Sequence, residues 1–490
     1  MPSAKRFLPA HSCLPGFRLG LRPRKGLAGV HSCFSQLHRT PRRARILWSF
    51  ALTWRGRQGY SSLSRDTHIG VIQHRVDVAS VSPDAAKSIH AAPELTERGF
   101  LHTQEEGLFV PAPHFKQLKH AYGFDDVAIV PGEFTINPEL VEIGMDIGPY
   151  HFGLPFIAAS MDAVVDPPFA RLMHDAGGLG VLNLEGIWTR YDDPRPILDE
   201  VASVNREEAT ATLQSAFQQP IRDDLIAVRV QEMKEGGGVA AVSVTPKSTK
   251  QYAPLVQEAG ADILVVQSTV TTARHESSSI EGLRFEKLFE QIHIPVVVGN
   301  TVGFSATLEV MRSGVAGVLV GVGPGAGCTS REVLGIGVPQ VTATIDCAAA
   351  REAYLAETGN YVPIITDGGI RTGGDVCKCF AAGADGVMMG SPFAATTEAP
   401  GRGYHWGMAT SHADLPRGTR VFVGVNTTLQ KTLFGPTSRT DGTENLAGAL
   451  KTAMGMCGAH TIREFQDAEM VIAPSIKTEG KIYQFAQAES

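Results

Sequence analysis

The chain has 490 residues, 43% apolar and 19% charged, with a net charge of −6 and a mean hydropathy of −0.01. That length can bury a sizeable core in one large domain or two smaller ones. The acidic balance argues against a nucleic-acid-binding protein.

The charge is unevenly placed. Residues 1–65 hold 13 Lys/Arg and no Asp or Glu, so the rest of the chain is acidic. This first stretch is rich in Arg, Ser, Gly and Pro and has no period. A transit peptide, a basic disordered tail and an upstream segment carried in the reading frame all fit it. We expect residues 1–105 to form a basic, disordered extension. Residues 1–20 lack the continuous apolar run of a secretory signal, and the apolar patch at 46–54 is too short to span a membrane. The expectation is a cytoplasmic protein without membrane association, or an organellar one if the basic stretch is a transit peptide. The seven cysteines are Cys13, Cys33, Cys328, Cys347, Cys377, Cys379 and Cys457. They are sparse, and five lie past the extension, which suits a reducing compartment better than a disulfide framework.

Strong patterning begins with AYGFDDVAIVP at 121–131. Eight short apolar runs then recur: LPFIAAS (154–160), GLGVLN (178–183), VAAVSVT (239–245), ILVVQST (263–269), PVVVGN (295–300), GVLVGVG (317–323), YVPIITDGG (361–369) and GVMMGSP (386–392). Nearly continuous Val, Ile, Leu and Ala is the signature of parallel strands covered on both faces. Amphipathic segments lie between them, at 167–177, 252–261, 304–314 and 373–384. Eight βα units predict a (β/α)8 TIM barrel, with a doubly wound open sheet as the alternative. Two stretches depart from the repeat. The connection after the sixth run is long. The segment 396–443 is polar, rich in Gly and Thr and poorly periodic, as expected of a lid. A helical segment at 446–459 would close the barrel.

Chemistry in such a barrel sits at the C-terminal ends of the strands. Asp367-Gly368-Gly369 and Gly390-Ser391 follow the last two runs, where exposed backbone N–H groups can hold a phosphate. A carboxylate such as Asp367 suits a ribose diol, because it accepts two hydroxyl hydrogens. The loop after the sixth run reads GVGPGAGCTS (321–330). A free cysteine is usually a small buried residue, but Gly and Pro flank Cys328 without an apolar period. Thr329 and Ser330 add hydroxyls, and a thiolate nucleophile would gain from such donors. Gly321-x-Gly323-x-x-Ala326 mimics a dinucleotide fingerprint, which Pro324 and the Cys-Thr-Ser run make a poor match. Cys377 and Cys379, in a C-x-C without a second pair, read as helix residues with one packed, not as zinc ligands.

Three of these stretches, 323–343, 364–401 and ASMDAVVD at 159–166, resemble the IMP dehydrogenase / GMP reductase family, and the resemblance runs from about 121 to 487. It implies a (β/α)8 barrel over 115–487 with a flap at about 401–445. It implies that Cys328 attacks C2 of the hypoxanthine ring of IMP, with NAD+ taking a hydride. Gly323, Gly325 and Cys328 match backbone carbonyls around a K+ ion, and Glu479-Gly480 resembles the pair that completes that site across a subunit boundary of a homotetramer. Asp367, Gly368, Gly369, Gly390 and Ser391 match the ribose and phosphate cradle. Ser160 and Met161 match purine-site residues. Trp406-Gly407-Met408-Ala409 resembles the loop that contacts the base. Gln267-Ser268-Thr269, with Gly321 and Gly323, fall at the cofactor site, where the family has Asp-Ser-Ser for the first three. Ser330 stands for the usual Thr. Arg417 and Arg420 are candidates for the flap arginine that activates water. Only about 55 residues, 184–238, separate the second and third runs, which leaves no room for the CBS pair of the usual IMP dehydrogenase. This is similar to the short, CBS-less bacterial type. GMP reductase and a catalytically silent nucleotide-binding barrel are the alternatives.

Overall fold

The computed structural model describes residues 118–276, 282–407, 419–474 and 481; the extension expected over 1–105 lies outside them. Each apolar run contains a strand: β1 (Phe156–Ala158), β2 (Leu179–Asn183), β3 (Ala241–Val244), β4 (Ile263–Gln267), β5 (Val296–Thr301), β6 (Gly317–Val320), β7 (Ile364–Asp367) and β8 (Gly386–Met389). They pair in parallel in chain order, and β8 returns to β1 with Met388 opposite Ile157, closing the barrel. The runs are continuous because both faces are covered. Ile157, Val181, Val265, Leu319, Ile365 and Met388 point inward into one cluster, while alternate residues such as Phe156, Leu182, Val266 and Ile364 pack under the helices. An antiparallel hairpin, Met145–Ile147 with Tyr150–Phe152, adds Met145, Ile147 and Phe152 to the inner cluster. Met145 packs against Gly386 at the start of β8, so the hairpin plugs the end opposite the mouth.

The helices form the outer layer. α1 (Pro167–Asp175) is capped by Asp166, whose carboxylate accepts from Phe169 N–H at 2.7 Å. Three helices, α2 (Arg195–Ser203), α3 (Arg206–Ala216) and α4 (Asp223–Lys234), fill the connection from β2 to β3. α5 (Pro246–Glu258) starts six residues ahead of the expected 252, because Pro246 suits a first helical turn. α6 (Phe285–Phe289) and α7 (Phe304–Arg312) follow, then α8 (Ser330–Leu334) and α9 (Gln340–Thr358). The connection after β6 is long, as expected, and nineteen of its residues form helix α9. α10 (Gly373–Ala381), α11 (Ser391–Ala394), α12 (Leu429–Phe434), α13 (Leu446–Met456) and α14 (Ile462–Phe465) complete the set.

Two further expectations change. Both Cys377 and Cys379 are buried, not one, because α10 packs against α13 as well as the barrel. Cys377 Sγ points at the carbonyl of Ala449 at 3.6 Å. The segment 396–443 is not a bare lid in its described part. It carries α12 and a two-stranded ribbon, Tyr404–His405 with Val421–Phe422, and it docks through buried Trp406, Leu429 and Leu433. Among the described residues no helix is long and apolar enough to cross a membrane.

Leu319 is fully buried at the centre of the inner cluster. We predict that Leu319→Ala lowers unfolding stability by about 2–5 kcal/mol, read as a lower urea midpoint. A loss below about 1 kcal/mol would mean that the barrel interior collapses around the cavity.

Candidate active site

The strand ends open into one cavity of about 620 Å3. Its floor is a chain of polar side chains from four strands. Ser160 Oγ, after β1, donates to Gln267 Oε1 at 2.9 Å. Gln267 Nε2, at the end of β4, donates to Asp367 Oδ2 at 2.9 Å and lies 3.1 Å from Asn300 Oδ1. Asn300 Nδ2, on β5, donates to Asp367 Oδ2 at 2.7 Å. Asp367 closes β7. Burial at the bottom of the mouth pushes its carboxyl up to about 6, against the two amide donors that favour the anion.

The wall over this floor is the loop after β6. Gly368 and Gly369 have φ of +90° and +78°, and a Cβ on either would press on Pro324 or Gly325. Only glycines let the β6 and β7 loops approach this closely. Cys328 is half-buried and lines the cavity. Its N–H donates to Gly325 O at 3.0 Å, closing a turn. Its Sγ lies 3.3 Å from Ser330 Oγ at the start of α8, and that hydroxyl can donate to a thiolate. Across the cavity Ser391 Oγ lies 2.8 Å from Nε2 of His405. His405 is 1% exposed, and burial lowers its pKa to about 4, so the ring is neutral.

The structure brings together Cys328, Ser330, Asp367, Gly368, Gly369, Gly390, Ser391, Ser160, Met161, Gln267, Ser268, Thr269, Gly321, Gly323, Gly325 and Gly407. Met408, Arg417, Glu479 and Gly480 lie outside the described residues. Three assignments change in detail. Gln267 spends its amide on Ser160, Asn300 and Asp367, so it serves the floor and offers little to a cofactor. Gly321 is buried against the carbonyl of Asp367 and the amide of Gln340. Arg420 does not line the cavity: its guanidinium donates to the carbonyl of Val201 on α2 and stacks over the ring of Tyr404, 4.6 Å from its centroid. A neighbouring pair, Arg402 with Asp199 at 2.7 Å, ties the same ribbon to α2.

Sequence reasoning missed Asn183, Glu185, Gln340 and His405 as cavity residues, while Asn300 stands at the mouth as its place at the end of the fifth run implies. Position at a strand end marks Asn183 and Glu185. Nothing local marks Gln340, which reaches in from the first turn of α9 to the carbonyls of Val320 and Asp367. Among the described residues no cluster of His, Cys, Asp or Glu could hold a metal ion. A cation here would depend on main-chain oxygens.

The family model described as "IMP dehydrogenase / GMP reductase domain" matches residues 121–481. An uncharacterized oxidoreductase of Mycolicibacterium smegmatis is 38% identical over 363 residues, 72% of this chain and 97% of that protein. The inosine-5'-monophosphate dehydrogenase of Methanocaldococcus jannaschii is 26% identical, covering 74% of this chain and 95% of its own length. The crystal structure of an IMP dehydrogenase/GMP reductase-like protein from Corynebacterium glutamicum superposes with a TM-score of 0.69 at 35% identity, over 74% of this chain and 97% of that one.

The raised carboxyl of Asp367 makes a prediction about stability. Its folded pKa, about 6, exceeds the ordinary value of 3.8. The protonated form therefore supports folding below pH ~4, and that support is lost as pH rises through ~6. Asp367→Asn should raise Tm by roughly a few °C at pH 8 and by only about a third of that at pH 4.5. A Tm difference that does not vary with pH would contradict the assignment.

Proposed function

The chain belongs to the IMP dehydrogenase / GMP reductase family of oxidoreductases, and from that premise we propose that it oxidises IMP to xanthosine monophosphate with NAD+. The observation that carries this reading is Cys328. Its sulfur lies 3.3 Å from the Ser330 hydroxyl, and it lines one cavity with the half-buried Asp367 carboxylate and a glycine-lined cradle.

In this reading the backbone N–H groups of Gly369 and Gly390, with Ser391, take the 5'-phosphate; Gly368 lines the cradle, but its N–H donates to Met388 O at 3.3 Å. Asp367, ionised above pH ~6, accepts the ribose hydroxyls. Ser160 and Met161 flank the purine, and Gly407 with Met408 contacts its edge. The Cys328 thiolate adds to C2, with Ser330 Oγ as the nearby donor. The C2 hydrogen then leaves with its electron pair, and a thioimidate remains on the sulfur. Water adds to C2, the C–S bond breaks, and the thiolate returns. A bound nicotinamide would supply the hydride acceptor, and Ser268, Thr269 and Gly323, which line the cavity, would hold it. With Arg420 engaged at Val201 and Tyr404, Arg417 is the candidate to activate the water. A K+ ion would rest on carbonyls of Gly323, Gly325 and Cys328, with Glu479 and Gly480. The oxygen-only donor set suits a hard cation, and Gly325 O keeps one lone pair beyond its turn hydrogen bond. The homotetramer implied by the family resemblance belongs to the same proposal.

The test follows absorbance of the reduced nicotinamide. With IMP, NAD+ and K+, the protein should form NADH, and replacing K+ by Li+ should slow it. Cys328→Ala should lose more than about a thousandfold in kcat. Consumption of NADPH with GMP, and none of NAD+ with IMP, would replace this reading with GMP reductase. No turnover with either pair would favour a silent barrel.

A further inference from the structure

His405 has no role in the chemistry above, yet it is almost fully buried against the cradle. It sits on the Tyr404–His405 strand, with Nε2 2.8 Å from Ser391 Oγ. Its other nitrogen, Nδ1, is buried and has no hydrogen-bond partner among the described residues. Gly327, the residue before Cys328, closes over it: a Cβ there would lie 3.0 Å from Gly407 N and 3.6 Å from His405 Nδ1.

Ser391 has one hydroxyl proton. If the hydroxyl donates to His405, none is left for a ligand. If Nε2–H donates to Ser391 Oγ, the serine proton is free to point into the cradle. A phosphate oxygen only accepts, so it selects the second arrangement. The same tautomer leaves the buried Nδ1 as a bare acceptor and not as a stranded N–H. We propose that His405 is a positioning residue for phosphate recognition: as the Nε2–H tautomer it donates to Ser391 and turns the serine hydroxyl onto the 5'-phosphate of the nucleotide. The chain Nε2–H to Oγ–H to phosphate oxygen polarises each link in turn. It also sets the specificity of the site for a phosphorylated nucleoside over the bare nucleoside. The inference rests on the nucleotide reading of the cavity, not on which redox reaction follows.

Equilibrium binding separates the possibilities. Affinities for IMP, inosine and inorganic phosphate are measured by calorimetry on the full chain, the wild type beside His405→Phe, His405→Gln, Ser391→Ala and the double variant His405→Phe/Ser391→Ala. Ser391→Ala, which removes the hydrogen bond to the charged phosphate, should weaken IMP binding about ten- to a hundredfold, and His405→Phe, which removes only the neutral bond that orients the serine, about two- to tenfold, with inosine unaffected. His405→Gln, whose amide can still donate to Ser391, should recover most of the loss. Because His405 acts through Ser391, adding His405→Phe to Ser391→Ala should cost nothing more. Equal IMP affinity in wild type and His405→Phe overturns the proposal. So does a loss shared by inosine, a failure of Gln to rescue, or additive losses in the double variant. If wild type binds neither IMP nor phosphate, the nucleotide reading fails and takes this proposal with it. If wild type binds IMP and His405→Phe binds it equally well, only the role of His405 fails.

Discussion

The closure of β8 onto β1 is the constraint on which the molecule depends. Val387, Met388 and Met389 pair in parallel with Phe156, Ile157 and Ala158, and no strand edge is left open in the barrel. Parallel pairing sends every strand the same way, so all eight C-terminal ends meet at one mouth. Groups far apart in the chain then become neighbours. Ser160 and Gln267 are 107 positions apart and share a hydrogen bond; Gln267 and Asp367 are 100 apart and share another. The apolar interior supplies the stability, and the mouth spends part of it.

That expenditure has a visible form. Asp367 is held where burial disfavours its charge, and its two amide donors offset the penalty only in part. His405 is kept neutral by burial with one nitrogen unpartnered. Neither arrangement favours a resting protein. In the nucleotide reading proposed above, both would suit a ligand that brings hydroxyls to a carboxylate and oxyanions to a serine. Local cost concentrated at a site, with a well-packed core beneath it, is the usual relation between folding and function.

Much of this was legible in the sequence. The eight strands announce themselves because parallel strands need apolar residues on both faces. Asp367-Gly368-Gly369, Gly390-Ser391 and Cys328 are legible because barrel topology assigns whatever follows a strand to the mouth. What was not legible depends on direction and distance. The tie from Arg420 to Val201 spans 219 positions, and no local pattern reveals that the side chain turns away from the cavity. Gln267 looks like a cofactor residue by position, but its amide is drawn inward by Asp367 and Asn300. His405 lies beside the recognisable 406–409 stretch and carries no signature of its own; only the fold sets it behind Ser391. Helix α9 had no signal of its own in a connection recognised only as long, and the burial of both Cys377 and Cys379 follows from packing on two sides that a helical period alone does not show.

The central claim is that Cys328 forms a covalent bond to the purine during turnover. Acid quenching of the protein with IMP and NAD+ in the steady state, followed by mass spectrometry of its peptides, tests it directly. The account predicts a nucleotide adduct on the peptide that contains Cys328, lost in Cys328→Ala together with turnover. Steady NADH formation with no adduct on that peptide, and undiminished in Cys328→Ala, would contradict it.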